Sequence, residues 1–540
     1  NITFHRYNLS GFLFLRTMNR KAYIIGGGLS GLSVAFYLIK DGGFKGNDIT
    51  LFEENDIAGG ALDAVIHPEH DGYFMRGFRM LESYVYSAVF DLMGYLPSLD
   101  DPQKTVLDEF KDFNEKVKTL ALSRLLKNGK AIDARPFRMS FSDRMRVLKL
   151  LVTDEAKLEK VRIDEYFSNK FFISNLWYEF STTFSFQPWH SVVEMKRYIL
   201  RFIQDAHQMD TSECIRSTPL NQFESIVQPL KTVLKSKGVV FKRNCSVSDI
   251  YLEKKEEKQR VSKILIVNGN PGTIEVSEED AVFISVGSMT AGFTAGSMDK
   301  APEKVAEKKE SSWALWEKLS KISPEFGNPS VFNSDIDRSK WVSFTVTLKD
   351  QLFLQLLEKI TKRKAGTEGP VTITDSNWFL SFALPNHPHF KEQPENVNLL
   401  WGYGLRPDES GNFVKKKMSE CTGREILTEL LHHLKFEEHL EKIINSSVCI
   451  PCLMPYITSQ FMPRKIGDRP FVVPENSENF AFIGQYCEMP DDIVFTLDYS
   501  VRSAQTAVYK LLKLNKLPTP IYKGHHNPLI VLRTIKTVFR

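Results

Sequence analysis

Lys21-Ala-Tyr-Ile-Ile-Gly-Gly-Gly-Leu-Ser-Gly31 is the stretch that decides the fold. Its apolar start predicts a buried strand, and the residues after Gly31 have helical spacing, so the glycines stand at a strand-to-helix turn. Gly26 permits the tight turn, Gly28 lets the backbone approach a pyrophosphate, and Gly31 allows the helix to pack closely on the strand. Free N–H groups at the helix N-terminus attract phosphate. The stretch therefore predicts a Rossmann-type dinucleotide site.

An acidic residue after the next predicted strand strengthens this interpretation. Asp48-Ile-Thr-Leu-Phe52 reads as the second strand, and Glu53 follows about 22 residues after Gly31, the usual separation in this motif. A carboxylate there accepts a hydrogen bond from a ribose 2′-OH. Glu54 competes for the role, because the end of a strand is fixed by sequence only to within a few residues.

Segments far downstream favour FAD over NAD. Asn479-Phe-Ala-Phe-Ile-Gly484 reads as a short strand ending in glycine, and Thr496–Leu512 reads as a long amphipathic helix with small residues. In two-domain flavoproteins such a late strand and helix return to the flavin. Glu279–Thr290 reads as another buried strand with a glycine turn, although an ordinary parallel-sheet strand explains it equally well. We predict an α/β protein whose Rossmann-type FAD-binding domain is assembled from residues 18–80, 209–300 and 465–513.

The other segments predict regions that surround this domain. Residues 81–208 are rich in helical periodicity and aromatic side chains, which suits a helical lid and acyl tunnel or simply a helical domain with an aromatic core. Residues 301–464 complete an α+β substrate domain as a second substrate-binding region. Residues 514–540 form a helical, basic C-terminal tail, and residues 1–17 are expected to be an extension outside the fold.

Composition narrows the class of protein. A chain of 540 residues with 42% hydrophobic and 25% charged residues predicts a multidomain globular protein. The net charge of +4 gives no support for nucleic-acid binding, and no apolar run approaches the ~20 residues of a membrane-spanning helix. Six thinly spread cysteines suit the reducing cytoplasm.

Two patterns of metal-ligating residue types do not predict a metal site. Cys449-Ile-Pro-Cys452 has no second cysteine pair, so we expect two plain thiols. His432 and His433 are adjacent on a predicted helix and point to different faces, so with His439 they predict no metal site.

Several further segments resemble the oleate hydratase family, also called myosin-cross-reactive antigens, whose members are FAD-containing fatty-acid hydratases. The resemblance runs from about Lys21 to Leu512. It implies a hydro-lyase that adds water across a cis double bond of an unsaturated free fatty acid of the oleate or linoleate class. It also implies a homodimer, and a flavin, favoured in its reduced form, that organises the site. The segments that carry it are Glu53–Gly60, Trp177–His190, Glu194–Tyr198, Thr218–Gln222 and Phe482–Pro490.

The resemblance assigns catalytic roles with one departure. Tyr198, on a helix predicted over Val192–Ala206, matches the tyrosine that protonates the alkene, although spacing alone favours a core tyrosine. The family run Arg-Gly-Gly-Arg-Glu-Met-Glu reads Arg76-Gly-Phe-Arg-Met-Leu-Glu82 here, so Met80 replaces the water-activating glutamate. A thioether is not a base at neutral pH. Glu82 is the candidate replacement.

Met80 is also compatible with two alternatives to a replacement base. Backbone and flavin groups activate water weakly, or the protein has a different function: a related FAD-dependent fatty-acid isomerase or oxidoreductase, or a non-catalytic lipid-binding flavoprotein. The resemblance also implies that Gln222 and His389 contact the substrate carboxylate, although Ala383 and Pro385 replace expected polar neighbours and a Pro-rich surface turn accounts for His389 equally well. The residues predicted to bind FAD are Gly26, Gly28, Leu29, Ser30, Gly31, Glu53, Glu54, Gly60, Arg76, Gly77, Ser288, Gly484 and Ser500.

The end of the chain combines apolar and basic residues. Lys523–Arg540 has the pattern of a basic amphipathic helix, which binds the surface of an anionic membrane with about 1 kcal/mol from each cation. Docking of the same helix against the protein itself or a dimer partner is the alternative. The sequence thus predicts peripheral contact with a membrane, with this alternative left open.

Overall fold

A five-stranded parallel sheet carries the glycine turn. The computed structural model describes residues 20–67, 72–304 and 311–540. All four neighbouring pairs in this sheet are parallel. The strands come from separated parts of the chain, so the predicted discontinuous Rossmann unit is confirmed. In spatial order they are Phe480–Ile483, Ala281–Ser285, Ala22–Ile25, Ile49–Phe52 and Val240–Lys242.

Helices cover this sheet, as the continuous apolar character of its strands requires. Ala22–Ile25 is buried along its whole length. The helix Leu29–Lys40 follows the glycine turn and packs against the late helix Leu497–Leu511. Thr496 caps the late helix, because its hydroxyl accepts a hydrogen bond from the Tyr499 N–H. Both elements agree with the sequence prediction to within a residue or two.

A second sheet has eight strands. It is antiparallel except where Val371–Ile373 pairs in parallel with Leu125–Lys127. The region 81–208 is therefore not purely helical, because two of its segments are strands of this sheet. In spatial order the strands are Thr294–Ala295, Ser447–Met454, Trp341–Leu348, Asn398–Gly404, Leu380–Ala383, Val371–Ile373, Leu125–Lys127 and Lys130–Ile132.

The remaining strands of the described residues form three small sheets. Ala64–His67 pairs with Gly72–Met75, and Leu81–Glu82 pairs with Ile215–Arg216. The third consists of Val247–Lys255, Lys258–Ile266 and Gly272–Glu275, with a charged hairpin tip. Residues 1–17 and part of the charged segment 301–310 lie outside the described residues.

Helices of 81–208 surround the aromatic segment. The prediction of one helix over Val192–Ala206 is wrong at its C-terminal end. The α-helix ends at Arg201, because Phe202 leaves the helical conformation, and the 3₁₀ turn Ile203–Gln208 follows.

No helix within the described ranges is long and apolar enough to span a membrane. The other α-helices are Ser87–Met93, Val106–Lys116, Phe141–Val152, Ile163–Tyr166, Asn175–Phe184, Gln228–Ser236, Ser311–Ser320, Ser330–Asn333, Ile336–Ser339, Leu352–Thr361, Gly423–Leu434, Leu440–Asn445 and Pro528–Phe539.

Candidate active site

The glycines of the turn differ in what surrounds them. Gly26 has φ +102°, which favours glycine, and a Cβ on Gly31 would lie 2.0 Å from the Gly26 carbonyl oxygen. Gly28 instead has an ordinary φ of −70°. A Cβ on Gly28 would meet its nearest neighbour, the Gly60 Cα, only at 3.9 Å. The fold therefore requires glycine at 26 and 31, whereas Gly28 only keeps open the space in front of the helix N-terminus.

Glu53 lies at the carboxyl end of its strand, beside this space. One carboxylate oxygen accepts a hydrogen bond from the Gly27 N–H at 2.9 Å, and the other accepts from the backbone and side chain of Asn55, each at 2.9 Å. These donors fix the carboxylate while leaving lone pairs for a ribose hydroxyl. The geometry is that of an adenosine-binding acidic residue.

A cleft runs from the glycine turn towards the second sheet. The Arg76 side chain donates to Asp63 and to the Gly60 carbonyl, both at 2.7 Å, and so fixes its wall. Two of the residues predicted to bind FAD do not line this cleft. Gly31 packs against the Gly26 carbonyl beneath the turn, and Gly77 lines a second cavity described below. A helix N-terminus, open glycines and a fixed acid fit an elongated dinucleotide such as FAD. The predicted residues that line the cleft are Gly26, Gly28, Leu29, Ser30, Glu53, Glu54, Gly60, Arg76, Ser288, Gly484 and Ser500.

A second cavity adjoins this cleft. Arg76, Arg79, Phe495 and Thr496 line both spaces. Most of the wall of the second cavity is apolar, as a hydrocarbon chain requires, and includes Phe184, Phe202, Trp341, Phe382 and Trp401.

Tyr198 lines the second cavity from the helix Val192–Arg201. Its side chain is almost fully buried, and its hydroxyl donates a hydrogen bond to the Val494 carbonyl at 2.6 Å. The rings of Phe184 and Phe186 lie 5.0 and 5.1 Å away. Burial raises the pKa of Tyr198 well above its usual value, so the hydroxyl keeps its proton at neutral pH.

Buried ion pairs fix the helix that carries Tyr198. Glu194 contacts Arg464 and Arg469 at 3.0 and 3.1 Å, and Arg197 contacts Glu488 at 3.2 Å. Burial opposes ionisation of Glu194, but these arginines outweigh burial and lower its pKa to about 2. Removing one partner would leave a buried charge, so the network holds the helix in one position. Sequence reasoning found the motif but not these partners.

Met80 and Glu82 face the same cavity. Met80, Leu81 and Glu82 follow one another along its wall, and Leu81 also packs into the hydrophobic core. One oxygen of Glu82 accepts hydrogen bonds from the Tyr84 and Val85 N–H groups, at 2.8 and 2.6 Å. Burial nevertheless raises the pKa of Glu82. A carboxyl group therefore remains on this wall despite Met80.

Gln222 and His389 line neither the cleft nor the second cavity. The Gln222 amide donates to the Arg79 carbonyl at 2.7 Å. The His389 ring lies edge-on to Phe78, 5.6 Å between centroids, and Phe78 itself lines the cavity. His389 is buried, so the exposed-turn interpretation is wrong, and burial lowers its pKa to about 3. A neutral histidine behind a phenylalanine presents no charge to a carboxylate.

The histidines and paired cysteines of the sequence form no site. Across residues 20–67, 72–304 and 311–540, no cluster of His, Cys, Asp and Glu is placed to hold a metal ion. Cys449 and Cys452 lie on one strand and pack into different cores, so they point apart.

Comparison with known proteins agrees with this architecture. An oleate hydratase of Streptococcus pyogenes serotype M49 (strain NZ131) is 40% identical over 91% of this chain and 85% of its own length. A linoleate hydratase of Lactiplantibacillus plantarum is 33% identical over 98% of this chain and all of its own length. Solved structures of putrescine oxidase and of cyclohexylamine oxidase from Brevibacterium oxydans IH-35A share the fold, with TM-scores of 0.53 and 0.52 at 12% identity. Both alignments cover 92% of this chain and 99% of theirs.

A family model supplies the assignment. The model of the MCRA family matches residues 19–509, which include the glycine turn, the residues that line both cavities and most of the late helix. The chain belongs to the MCRA family.

Proposed function

We propose that the protein is an FAD-dependent hydratase that adds water to a cis double bond of an unsaturated free fatty acid. The observation that carries the proposal is an aromatic cavity that Tyr198 lines and that shares a wall with the dinucleotide cleft. The oleate and linoleate hydratases among its relatives support the substrate class.

Tyr198 and Glu82 divide the proton transfers. The Tyr198 hydroxyl gives its proton to one alkene carbon, while the oxygen of a water molecule bonds to the other. Glu82 accepts the proton that this water loses, and the product is a hydroxy fatty acid. General-base assistance of this kind is worth ~10² to 10⁴ in rate, so loss of the carboxylate should slow hydration strongly.

The cleft holds FAD through the residues already described. When bound, the cofactor supplies the shape and electrostatic field at the end of the cavity without net redox change, and we expect its reduced form to be favoured. Arg79 adds a cation at the junction of the two spaces. Burial and neighbouring Arg76 lower the pKa of Arg79 to about 10, yet it stays charged at neutral pH.

One incubation separates the competing functions. FAD-loaded protein is given oleate and linoleate, with and without flavin reduction, and products are analysed by mass spectrometry. We expect a gain of one water. An unchanged mass with new double-bond geometry would indicate an isomerase, and no product would indicate a binding protein. E82Q should lose most activity, whereas E278Q, at an exposed glutamate, should not.

The C-terminal helix supports a proposal of membrane contact. Its inner side docks on the protein itself, because Thr534 is buried and donates to the Ile203 carbonyl at 3.1 Å. Its outer side leaves Leu529 and Leu532 72% and 56% exposed, next to exposed cations. We propose that this outer side touches anionic membrane surfaces. Vesicles with anionic lipid should bind the protein, and removal of residues 523–540 should abolish binding.

We also propose a homodimer, which the family resemblance implies, and a reducing compartment such as the cytoplasm. All six cysteines lie in the described part of the chain, and each is a free thiol. Light scattering of the purified protein tests the dimer, and imaging of a tagged protein tests the compartment.

A further inference from the structure

The helix Phe141–Val152 carries an apolar stripe on its outer side. Phe141, Met145 and Val152 are 72%, 46% and 84% exposed. Successive residues of a helix are about 100° apart, so these three side chains lie within roughly 40° of one another around the axis. Scattered exposed apolar side chains are common, whereas a row of them on one side of a helix marks an interaction surface.

The opposite side fastens this helix to the rest of the protein. Val147 and Leu150 are buried in the largest hydrophobic core. Asp143 is also buried, and its carboxylate accepts hydrogen bonds from the hydroxyl groups of Ser140 and Ser168, both at 2.6 Å. The inner side therefore holds the helix in place, and the outer stripe contributes little to folding.

The stripe meets the C-terminal helix Pro528–Phe539. The rings of Phe141 and Phe539 lie 6.3 Å apart. Arg144 donates a hydrogen bond to the Val538 carbonyl, and its guanidinium lies 5.8 Å from the Phe539 ring. The outer sides of the two helices, which are far apart in sequence, therefore form neighbouring parts of one surface.

The charged side chains that these two helices expose are cations. Asp143 is the single acid of the first helix and is buried, and the C-terminal helix contains no acid. Lys149, Arg533 and Lys536 are exposed. Exposed phenylalanine and leucine beside cations are typical of helices that lie in the interface of an anionic membrane.

This charge pattern argues against a second copy of the chain as the occupant of the surface. A twofold dimer would place the same surface against itself. It would bring the cations of both copies together, and neither helix exposes a carboxylate to pair with them. Like charges that face each other across an interface oppose association.

We propose that the helix Phe141–Val152 and the C-terminal helix form a single surface that binds anionic membranes, with Phe141, Met145 and Val152 inserted among the lipids. The inference rests on the membrane contact proposed for the C-terminal helix. It goes beyond that contact, because it adds a second membrane-inserted helix from a distant part of the chain.

Sedimentation with lipid vesicles tests the surface. FAD-loaded protein is mixed with vesicles of phosphatidylcholine alone or with added phosphatidylglycerol. We expect wild type to bind the anionic vesicles at least tenfold more tightly than the neutral ones, and F141S/V152S to lose at least tenfold in that binding. The matched control V267S/I322S, which replaces two exposed apolar side chains of other segments, should bind like wild type. Unchanged binding of F141S/V152S would overturn the proposal.

Fluorescence shows directly whether the helix enters the lipid. V152W adds a tryptophan at an exposed position, and brominated lipids in anionic vesicles should quench at least half of the fluorescence that it adds to wild type. An unquenched tryptophan overturns the insertion, even if F141S/V152S binds weakly or folds poorly.

Two outcomes separate this proposal from its alternatives. Light scattering that finds a dimer for wild type and a monomer for F141S/V152S would assign the surface to a second copy and overturn the membrane role. Vesicle binding with the expected loss in F141S/V152S, by a protein that hydrates no fatty acid, would support the membrane surface and refute the hydratase.

Discussion

The substitution Gly28→Ala should weaken FAD binding without preventing the protein from folding. The backbone at Gly28 has φ −70°, which alanine adopts freely, and the nearest atom to a new Cβ is 3.9 Å away. The methyl group would project into the space where a pyrophosphate meets the helix N-terminus. The apoprotein should therefore fold normally while binding FAD poorly.

The expected change in the free energy of unfolding is smaller than the expected loss of FAD-binding free energy. Alanine is a poorer N-cap than glycine, a cost of about 0.5–1 kcal/mol, and loss of unfolded-chain freedom offsets it by about 0.4–1 kcal/mol. The free energy of unfolding should change by under about 1 kcal/mol. A phosphate pushed off the helix end loses at least one hydrogen bond to a charged group, worth about 1.5–3 kcal/mol. That loss raises the Kd of FAD roughly 10- to 150-fold.

The assay titrates apoprotein with FAD by calorimetry and unfolds it in urea. Gly272→Ala is the matched control, because a Cβ there meets nothing within 4 Å on an exposed strand far from the cleft. Gly31→Ala should instead destabilise the apoprotein, since its Cβ would lie 2.0 Å from a backbone oxygen. If Gly28→Ala binds FAD as tightly as the control, the phosphates do not lie over this turn.

Three further predictions test other parts of the molecule. Tyr198→Phe should lower hydration ~10²- to 10⁴-fold with unchanged FAD binding, measured by product formation, and near-normal activity would exclude Tyr198 as the acid. Burial raises the pKa of Glu179 to about 8, so its stabilisation is complete below its ordinary pKa and is lost as pH rises to 8. Glu179→Gln should therefore match wild type in urea near pH 5 and exceed it, by at most about 5 kcal/mol, above pH 8. L529D/L532D should reduce sedimentation with anionic vesicles at least tenfold, and unchanged sedimentation would exclude the outer helix side.

The fold was largely predictable because its signals are local. An apolar strand, a glycine turn and helical spacing sit within residues 21–40, and the late strand and helix carry the same kind of pattern. The end of the helix with Tyr198 was not predictable. Apolar periodicity continues past Arg201, but the backbone tightens into a 3₁₀ turn that packs against the C-terminal helix, a contact between distant segments.

The site was predictable only where a motif fixes its geometry. Most glycines and acids of the turn lie in the cleft, because the local backbone alone puts them there. Gln222 and His389 were assigned by resemblance, and their surroundings depend on Phe78, whose ring packs on His389 only in the folded chain. Asp205 was missed for the same reason. Nothing in the sequence around it indicates that Asp205 lines the second cavity.

The wall of the second cavity keeps a carboxyl group beside Met80. Met80 and Glu82 both line the second cavity, so a carboxylate at 82 still faces the cavity that a carboxylate at 80 would face. A thioether at 80 adds no charge to this wall, and burial raises the pKa of Glu82. A base whose pKa approaches the working pH accepts a proton more strongly than an ordinary carboxylate. Burial of Glu82 therefore makes it a stronger base than an exposed carboxylate, as a replacement for the missing base requires.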